Sequence, residues 1–536
     1  MKVFFSFLFL LLSFFAIAQS GTIDKTYGKN GFSVFTTQPS GLDVPSQKVA
    51  LQKDDKLLYL TDVKDSTTNN YIYVTRLAAN GTVDKTFGKN GVTALDFSGD
   101  EANGTAIVVQ ADGKILVTGL YSKGTNGDDY QILLVRLNSN GSLDATFGTA
   151  GILNIGNPLS LEIATSIQLV GAGKILVGGI ISDEADQLVL PLLMRLNPNG
   201  SFDNTFGTNG IYKYDAALSN TPTKYIYNVA IDKIGNIFAA GKSVNKQGEN
   251  KAFLIKTSEN GVLDNTFGTN GIVEIGDDNA DDKVFFSNLK VQSDGKIVVL
   301  KNISLADDSQ IGKLLRFQSN GKEDTAFGVA GIININIGGS LSVSPNDLLL
   351  QSDGKIIVNV IGIDNKSTTF NNATARYDKT GKIDNAFGIQ GIVTVNSDSI
   401  DYLGANLRMA SDGKVIVSVE GSNFKINQFQ RTTLRLLNPE ITTVQDILLV
   451  NDLKIFPNPV QNELILNYTL ENLQNNISID LVNLEGKIIV PLLQNISRNA
   501  GAQTEYIYLG ENIASGVYFL TLKNATFMTQ IKVVKI

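Results

Sequence analysis

The chain has 536 residues, a net charge of −7 and no His, Cys or Trp. Its length exceeds one ordinary domain, and the missing residue types exclude His- or Cys-built zinc sites, Ser-His-Asp and Cys-His nucleophilic chemistry, disulfides and a Cys-linked lipoprotein anchor. No run of Lys and Arg occurs, so no nucleic-acid partner is expected, and charged residues make up only 18% of a chain rich in Asn, Ser and Thr, as in β-rich secreted proteins.

The first element is a processing segment. Lys2 supplies a positive start, Val3 to Phe15 is apolar apart from two Ser, and Ala16-Ile17-Ala18 is an A-x-A cleavage signal before Gln19. A signal peptide over 1–18 is expected, cleaved between Ala18 and Gln19, followed by export. The apolar stretch is too short to span a bilayer and no other reaches that length, so no stable membrane span is expected.

The following elements repeat. The pattern G-x-x-D-x-[TA]-[FY]-G-x-x-G starts at Gly21, Gly81, Gly141, Gly200, Gly261, Gly321 and Gly381, in steps of 60, 60, 59, 61, 60 and 60 residues. So regular a period marks one supersecondary unit repeated through space. In the unit from Gly391 to Pro439, GIVTV reads as a short first strand. NLRMASDGKVIVSVE reads as two strands about the Asp412-Gly413 turn, and RTTLRLLNP as a fourth, with polar loops between. The same turn stands at Asp112-Gly113, Asp294-Gly295 and Asp353-Gly354. The fourth strand carries a basic residue at one fixed place: Arg76, Arg136, Arg195, Lys256, Arg316, Arg376 and Arg435.

Four-stranded meanders, seven times over from Phe32 to about Pro439, predict an all-β fold: a seven-bladed β-propeller of ~60-residue repeats within 19–439. Closing the ring hides its first and last edges. Alternating turns place the Asp-Gly hairpin and the motif on one face and longer, non-repeating loops on the other. Thr36–Gln47, Asp215–Tyr227, Gly276–Lys283 and Gly362–Thr374 are such loops, and a ligand site is expected on that second face or at the channel mouth.

The motif reads as turn chemistry joining one blade to the next. Its Asp (Asp24, Asp84, Asp144, Asp203, Asp264, Asp324, Asp384) is placed to accept backbone N–H bonds a few residues on. Its glycines suit positive φ, and its aromatic (Tyr27, Phe87, Phe147, Phe206, Phe267, Phe327, Phe387) suits the gap between adjacent sheets. The fixed basic residue packs its stem and pairs locally. The acidic loop Gly276 to Asp282 lacks the Gly and Glu spacing of an EF-hand and reads as a solvated loop rather than a Ca²⁺ site. No catalytic, cofactor-binding or metal residue is singled out, and no cofactor is expected.

After Asn438-Pro439 the repeat stops and 440–452 reads as a linker. KIFPNPVQNELILNY from Lys454, ISIDLVNLEGKII from Ile477, SGVYFLTLKN from Ser515 and the terminal IKVVKI predict a small β-sandwich over 453–536.

The seven motif copies resemble the delta-60 repeat, a bacterial repeat family, over roughly residues 21 to 437. That resemblance implies a propeller-like β-protein and no particular activity. The C-terminal segment closely resembles the type A C-terminal sorting domain of the type IX secretion system. The resemblance is carried by Pro457-Asn458-Pro459, the L-x-G-K at Leu484 to Lys487, the G-V-Y at Gly516 to Tyr518 and the final Lys. It implies a Bacteroidetes-type bacterium, Sec export, recognition of this domain by the translocon, passage across the outer membrane and removal of the domain at the surface. The mature protein is then linked to surface lipopolysaccharide or released.

The expectation is therefore a secreted or cell-surface, non-enzymatic binding or adhesion propeller. Its expected partners are the type IX translocon, through the C-terminal domain, and a glycan or protein ligand. A secreted carbohydrate-active hydrolase is the alternative, because two carboxylates can cleave a glycosidic bond without His. A structural surface-layer component is the third reading.

Overall fold

The computed structural model describes residues 20–35, 42–64, 70–97, 99–123, 130–156, 161–183, 188–213, 223–245, 247–277, 279, 282–338, 342–364, 369–395, 400–423, 428–438, 450–470, 474–483, 488–524 and 528–536. It falls into two compact units, Met1–Asn438 and Pro439–Ile536. All its regular elements are strands, and no helix occurs among the described residues.

Among the described residues the first unit holds seven four-stranded antiparallel sheets. In the second of them the strands Glu101–Val109, Ile115–Ser122, Gln131–Leu137 and Ile152–Ile155 lie side by side in chain order. The hairpin strand carries Ile115, Leu116 and Val117 in succession, all fully buried. Consecutive rather than alternating apolar residues fit a strand covered on both faces, which here means one sheet on either side. The core follows from this: seven apolar clusters, each built from two neighbouring sheets.

The sheets form a closed ring. Each first strand contacts the first strand of the next sheet, and Ile400–Met409 of the seventh contacts Leu42–Leu51 of the first. The seventh sheet takes its fourth strand from the chain's beginning: Phe32–Phe35 pairs with Gln428–Leu436, Phe32 opposite Leu434 and Phe35 opposite Arg431.

That pairing corrects the expected repeat boundaries. The strand after each motif, such as Ile392–Val395, is the outermost strand of the preceding sheet, paired with Thr369–Tyr377, and does not open the next one. The motif accordingly joins the third and fourth strands of one sheet rather than one blade to the next. The cause is local: the motif folds back on its own third strand, with Arg136 N–H donating to Gly151 O and Asp144 N–H to Arg136 O, each at 2.9 Å. Period alone could not fix the phase, because a four-strand unit reads the same from any starting strand.

Every first strand carries one irregularity of register, for example between Ala164 and Ser166, Ile226 and Asn228, Phe286 and Asn288, and Pro345 and Asp347. Bulges of this kind bend the strand and re-aim the side chains beside them. Here they precede the residues that face the middle of the ring.

The second unit is a sandwich. Val450–Phe456, Glu463–Leu470 and Gly501–Tyr508 form one sheet; Ile488–Arg498, Gln474–Val482, Gly516–Lys523 and Met528–Lys535 form the other. Leu464, Leu466 and Tyr468 from the first meet Ile477, Ile479, Leu520 and Val533 from the second in one buried cluster. The pair Ile488–Arg498 and Gly501–Tyr508 was not legible beforehand, because the first of them is largely exposed and pairs with repeated register shifts. The first strand begins at Val450, inside the stretch read as linker. Asn458 of the P-N-P motif ties to the final strand: its Nδ2 donates to Lys532 O at 2.9 Å, and Val534 N–H donates to its Oδ1 at 2.8 Å. Residues 484–487 lie outside the described residues.

Candidate ligand-binding channel

The repeated motif is occupied with holding the ring together. Arg136 donates from Nε to Asp144 Oδ2 at 2.7 Å and from a terminal nitrogen to Pro198 O in the next sheet, with its guanidinium carbon 4.5 Å from the centre of the Phe147 ring. Asp144 Oδ1 accepts from the backbone and hydroxyl of Thr146, at 3.1 and 2.7 Å. The hairpin lysine Lys114 reaches the same carboxylate at 2.9 Å. Equivalent lysines stand on Asp24, Asp84, Asp203, Asp324 and Asp384, which places hairpin and motif on one face as expected. The hairpin Lys was visible in the sequence but had no assigned role.

The fourth sheet departs from this plan. Its hairpin carries Asn236 in place of Lys, and Lys256 in place of Arg pairs with Asp264 at 2.8 Å. Two glycines show why the motif needs them. Gly148 has φ 54°, and a Cβ there would lie 2.2 Å from Ile152 O. Gly200 sits against the neighbouring motif, where a Cβ would lie 2.9 Å from the Phe147 ring.

Motif residues also bond sideways. Gly28, Gly88, Gly207, Gly268 and Gly328 donate their N–H to the carbonyl of the residue just before the next motif, as Gly28 to Asn80 O at 2.7 Å, and Gly388 donates to Ser20 O at 2.7 Å. The carboxyl of Asp24 is pushed up by burial, but the hydroxyl and backbone N–H of Thr26, with Arg435 and Lys414, outweigh that and hold it at about 2. These groups are structural, as turn chemistry and local pairing predict.

The middle of the ring is different. The first strands enclose a cavity of about 410 Å³ whose wall does not repeat. At one level, set by the strand register, stand Lys48, Ala106, Ser166, Asn228, Asn288, Asp347 and Asn406. Two residues nearer the hairpin face, Lys290 and Arg408 occupy the position filled by Ala50, Val108, Gln168, Ala230 and Leu349 in the other sheets. Such a step along a strand is about 7 Å.

The carboxylate in this wall is engaged. Asp347 Oδ1 accepts from Asn288 Nδ2 and Leu348 N–H, both at 2.9 Å; its Oδ2 accepts from Leu407 N–H at 2.8 Å and faces Arg408 at 3.4 Å. Arg408 also donates to Leu407 O and, across the ring's seam, to Val49 O. Glu420, on the second strand of the seventh sheet, pairs with Arg431 at 3.0 Å. Among the described residues the ammonium groups of Lys48 and Lys290 have no hydrogen-bond or ion-pair partner. Solvent reaches Lys48 inside the cavity, yet the walls crowd both lysines. That enclosure lowers their pKa, against the opposing pull of Asp347, and Arg408 lowers it further. Sequence reading missed these residues because channel position follows from ring closure. Their one signal is charge at places where the sister repeats, Asp347 and Arg408 apart, carry neutral residues.

Ala18 and Gln19 lie outside the described residues, as do 36–41, 214–222, 278, 280–281 and 365–368 of the expected loops, whereas 42–47, 223–227, 362–364 and 369–374 of those stretches belong to strands. In the acidic loop Asp277 lies 3.9 Å from both Lys301 and Lys313, and Asp282 accepts from Asn279 at 3.2 Å; Asp278 and Asp281 are outside the described residues. No cluster of three carboxylates fit for a metal ion occurs among the described residues. No helix among them is long and apolar enough to cross a membrane.

Residues 110–147 and 173–206 match the family model described as "Domain of unknown function (DUF5122) beta-propeller", and residues 454–536 match "Secretion system C-terminal sorting domain". The chain is a β-propeller protein with a secretion sorting tail. The tail marks the propeller for handling by the type IX secretion system and export to the cell surface or the extracellular space. No curated protein sequence matches it. Similar solved structures include a protein of unknown function from Dyadobacter fermentans (11% identity, 63% of this chain and 96% of that one, TM-score 0.38). Others are the β-propeller domain of the trilobed protease from Pyrococcus furiosus (11% identity, 74% and 94%, TM-score 0.39) and a Hadza microbial sialidase (13% identity, 59% and 62%, TM-score 0.36).

Proposed function

We propose that the mature protein is a non-enzymatic binding propeller, displayed on or released from the cell surface, that engages a glycan or protein ligand through the channel and the loops at its mouth. The observation carrying this reading is the division of labour between residues. Motif groups bond to one another, whereas the channel wall is polar, differs from sheet to sheet and keeps two ammonium groups that have no partner among the described residues. Scaffold positions repeat and recognition positions vary. Hydrolysis by a carboxylate pair draws no support from Asp347 and Glu420, each held by its own partners.

In this reading the signal peptide covers 1–18 and leaves between Ala18 and Gln19, the propeller extends to 439, and 453–536 is the sorting tail recognised by the translocon. Mass spectrometry of the exported protein tests the cleavage site; a first residue other than Gln19 overturns it. A glycan and surface-protein array probed with the mature chain tests the binding role, alongside incubation with polysaccharides. Saturable capture without hydrolysis supports the reading. Polysaccharide cleavage, or no capture at all, overturns it.

A further inference from the structure

We infer that the central channel holds a subsite for an oxyanion, the carboxylate, sulfate or phosphate group of a small ligand, bound by Lys48, Lys290 and Arg408. This deepens the binding reading above and rests on it.

Three cations and one carboxylate share the same stretch of channel. Lys48, Lys290, Arg408 and Asp347 all line the one cavity at the middle of the ring, and Arg408 and Asp347 lie 3.4 Å apart. Asp347 already accepts from a side-chain amide, two backbone N–H groups and Arg408, so it has little left to offer either lysine. Glu420 is matched by Arg431. The local balance of Lys48, Lys290, Arg408 and Asp347 is thus positive, inside a chain whose net charge is −7.

Setting two lysines and an arginine around one cavity costs folding energy through like-charge repulsion. Sister repeats avoid that cost with Ala50, Val108, Ala230 and Leu349 at the level of Lys290 and Arg408. A ligand oxyanion would relieve it, taking charge-assisted hydrogen bonds from the ammonium groups. A neutral donor in the same wall, Asn228, suits a hydroxyl of an attached sugar. The cavity of about 410 Å³ limits the enclosed part to a small ligand.

The test is isothermal titration calorimetry of the full mature chain with inorganic phosphate, inorganic sulfate, galacturonate and, as a neutral control, galactose. The expected result is saturable one-to-one binding of at least one anion, weakened at least tenfold in the double variant Lys48→Met/Lys290→Met and by raised salt. The anion that binds tells carboxylate from sulfate or phosphate. Lys233→Met, at an exposed hairpin, is expected to leave binding unchanged. A melting temperature in the double variant at or above that of the parent chain establishes that the ring is intact, and relief of repulsion predicts a value above it. Absence of saturable anion binding overturns the inference, as does equal affinity in the double variant. A neutral glycan bound equally by both proteins sinks this subsite while leaving the binding role standing.

Discussion

Arg435 donates from Nε to Asp24 Oδ2 at 2.8 Å, although 411 residues of chain separate the two. The same guanidinium donates to Ala79 O in the first sheet at 3.1 Å and lies 4.9 Å from the centre of the Tyr27 ring. In the other sheets the equivalent pair is eight residues apart, as with Arg316 and Asp324. Only at the seam does the motif network also join the two ends of the propeller.

Replacing Arg435 with Met is therefore expected to destabilise the propeller by about 3 kcal/mol, the scale of removing one partner from a buried ion pair. Arg316→Met should cost a similar amount. The two differ in where they loosen the ring: hydrogen exchange of the Phe32–Phe35 amides should accelerate in the first variant and not in the second. Equal exchange in both would show that the seam is not held by this pair.

Acid should open the ring late. Asp24 titrates at about 2 in the fold against an ordinary value of 3.8, and Asp84, Asp144, Asp203, Asp264 and Asp324 are also held low. A depressed folded pKa contributes stability that is fully present above the unfolded value and is lost as pH falls through the folded one. The melting temperature of the mature chain should change little from neutrality down to about pH 5 and fall steeply between about 4 and 2. A fall already complete at pH 5 would count against these carboxylates as its source.

The fourth sheet offers a gain. The Lys256 ammonium lies 5.9 Å from the centre of the Phe238 ring instead of against the motif aromatic, and among the described residues it makes no hydrogen bond to the next sheet; Phe238, 5.9 Å from Phe267, fills the position held by Leu58, Leu116 or Leu176 in other sheets. Lys256→Arg alone should give little, because the larger Phe238 crowds the guanidinium. Combined with Phe238→Leu it should stabilise by about 1 kcal/mol relative to Phe238→Leu alone, the net worth of a hydrogen bond. Denaturant melts in a double-mutant cycle measure this coupling, and additive effects would refute it.

In the sorting tail, Asn458→Ala removes two hydrogen bonds to the final strand. A loss of about 1–2 kcal/mol is expected, with faster exchange at Val534 and retention of precursor inside the cell if this clamp shapes what the translocon reads. Normal export of a visibly loosened tail would separate stability from recognition.

The architecture was legible because its signals are local and repeated. The Asp-Gly hairpins, the motif Asp and aromatic, and the buried runs such as Ile115 to Val117 each follow from turn chemistry or burial. The phase of the repeat was not legible, since Ile392–Val395 could have paired forward or backward until the motif's own hydrogen bonds decided it. The channel was illegible for a related reason. Lys48 and Lys290 lie 242 residues apart in the chain, and only closure brings their strands around one cavity. Asn30, Asn90, Asn209 and Asn270, all at positive φ, show a residue preference that the repeat displayed without its cause.

The pairing of Phe32–Phe35 with Gln428–Leu436 also sets an order of events. The first strand of the repeat region to leave the ribosome is the last to find its partner. Until residues near 438 have been made, six sheets can assemble, but the outer strand Phe32–Phe35 lacks its partner Gln428–Leu436 and the first sheet lacks its neighbour across the seam. Completion thus falls just before the sorting tail at 454–536 is synthesised, so a chain that displays its tail is one whose barrel of sheets has everything needed to lock.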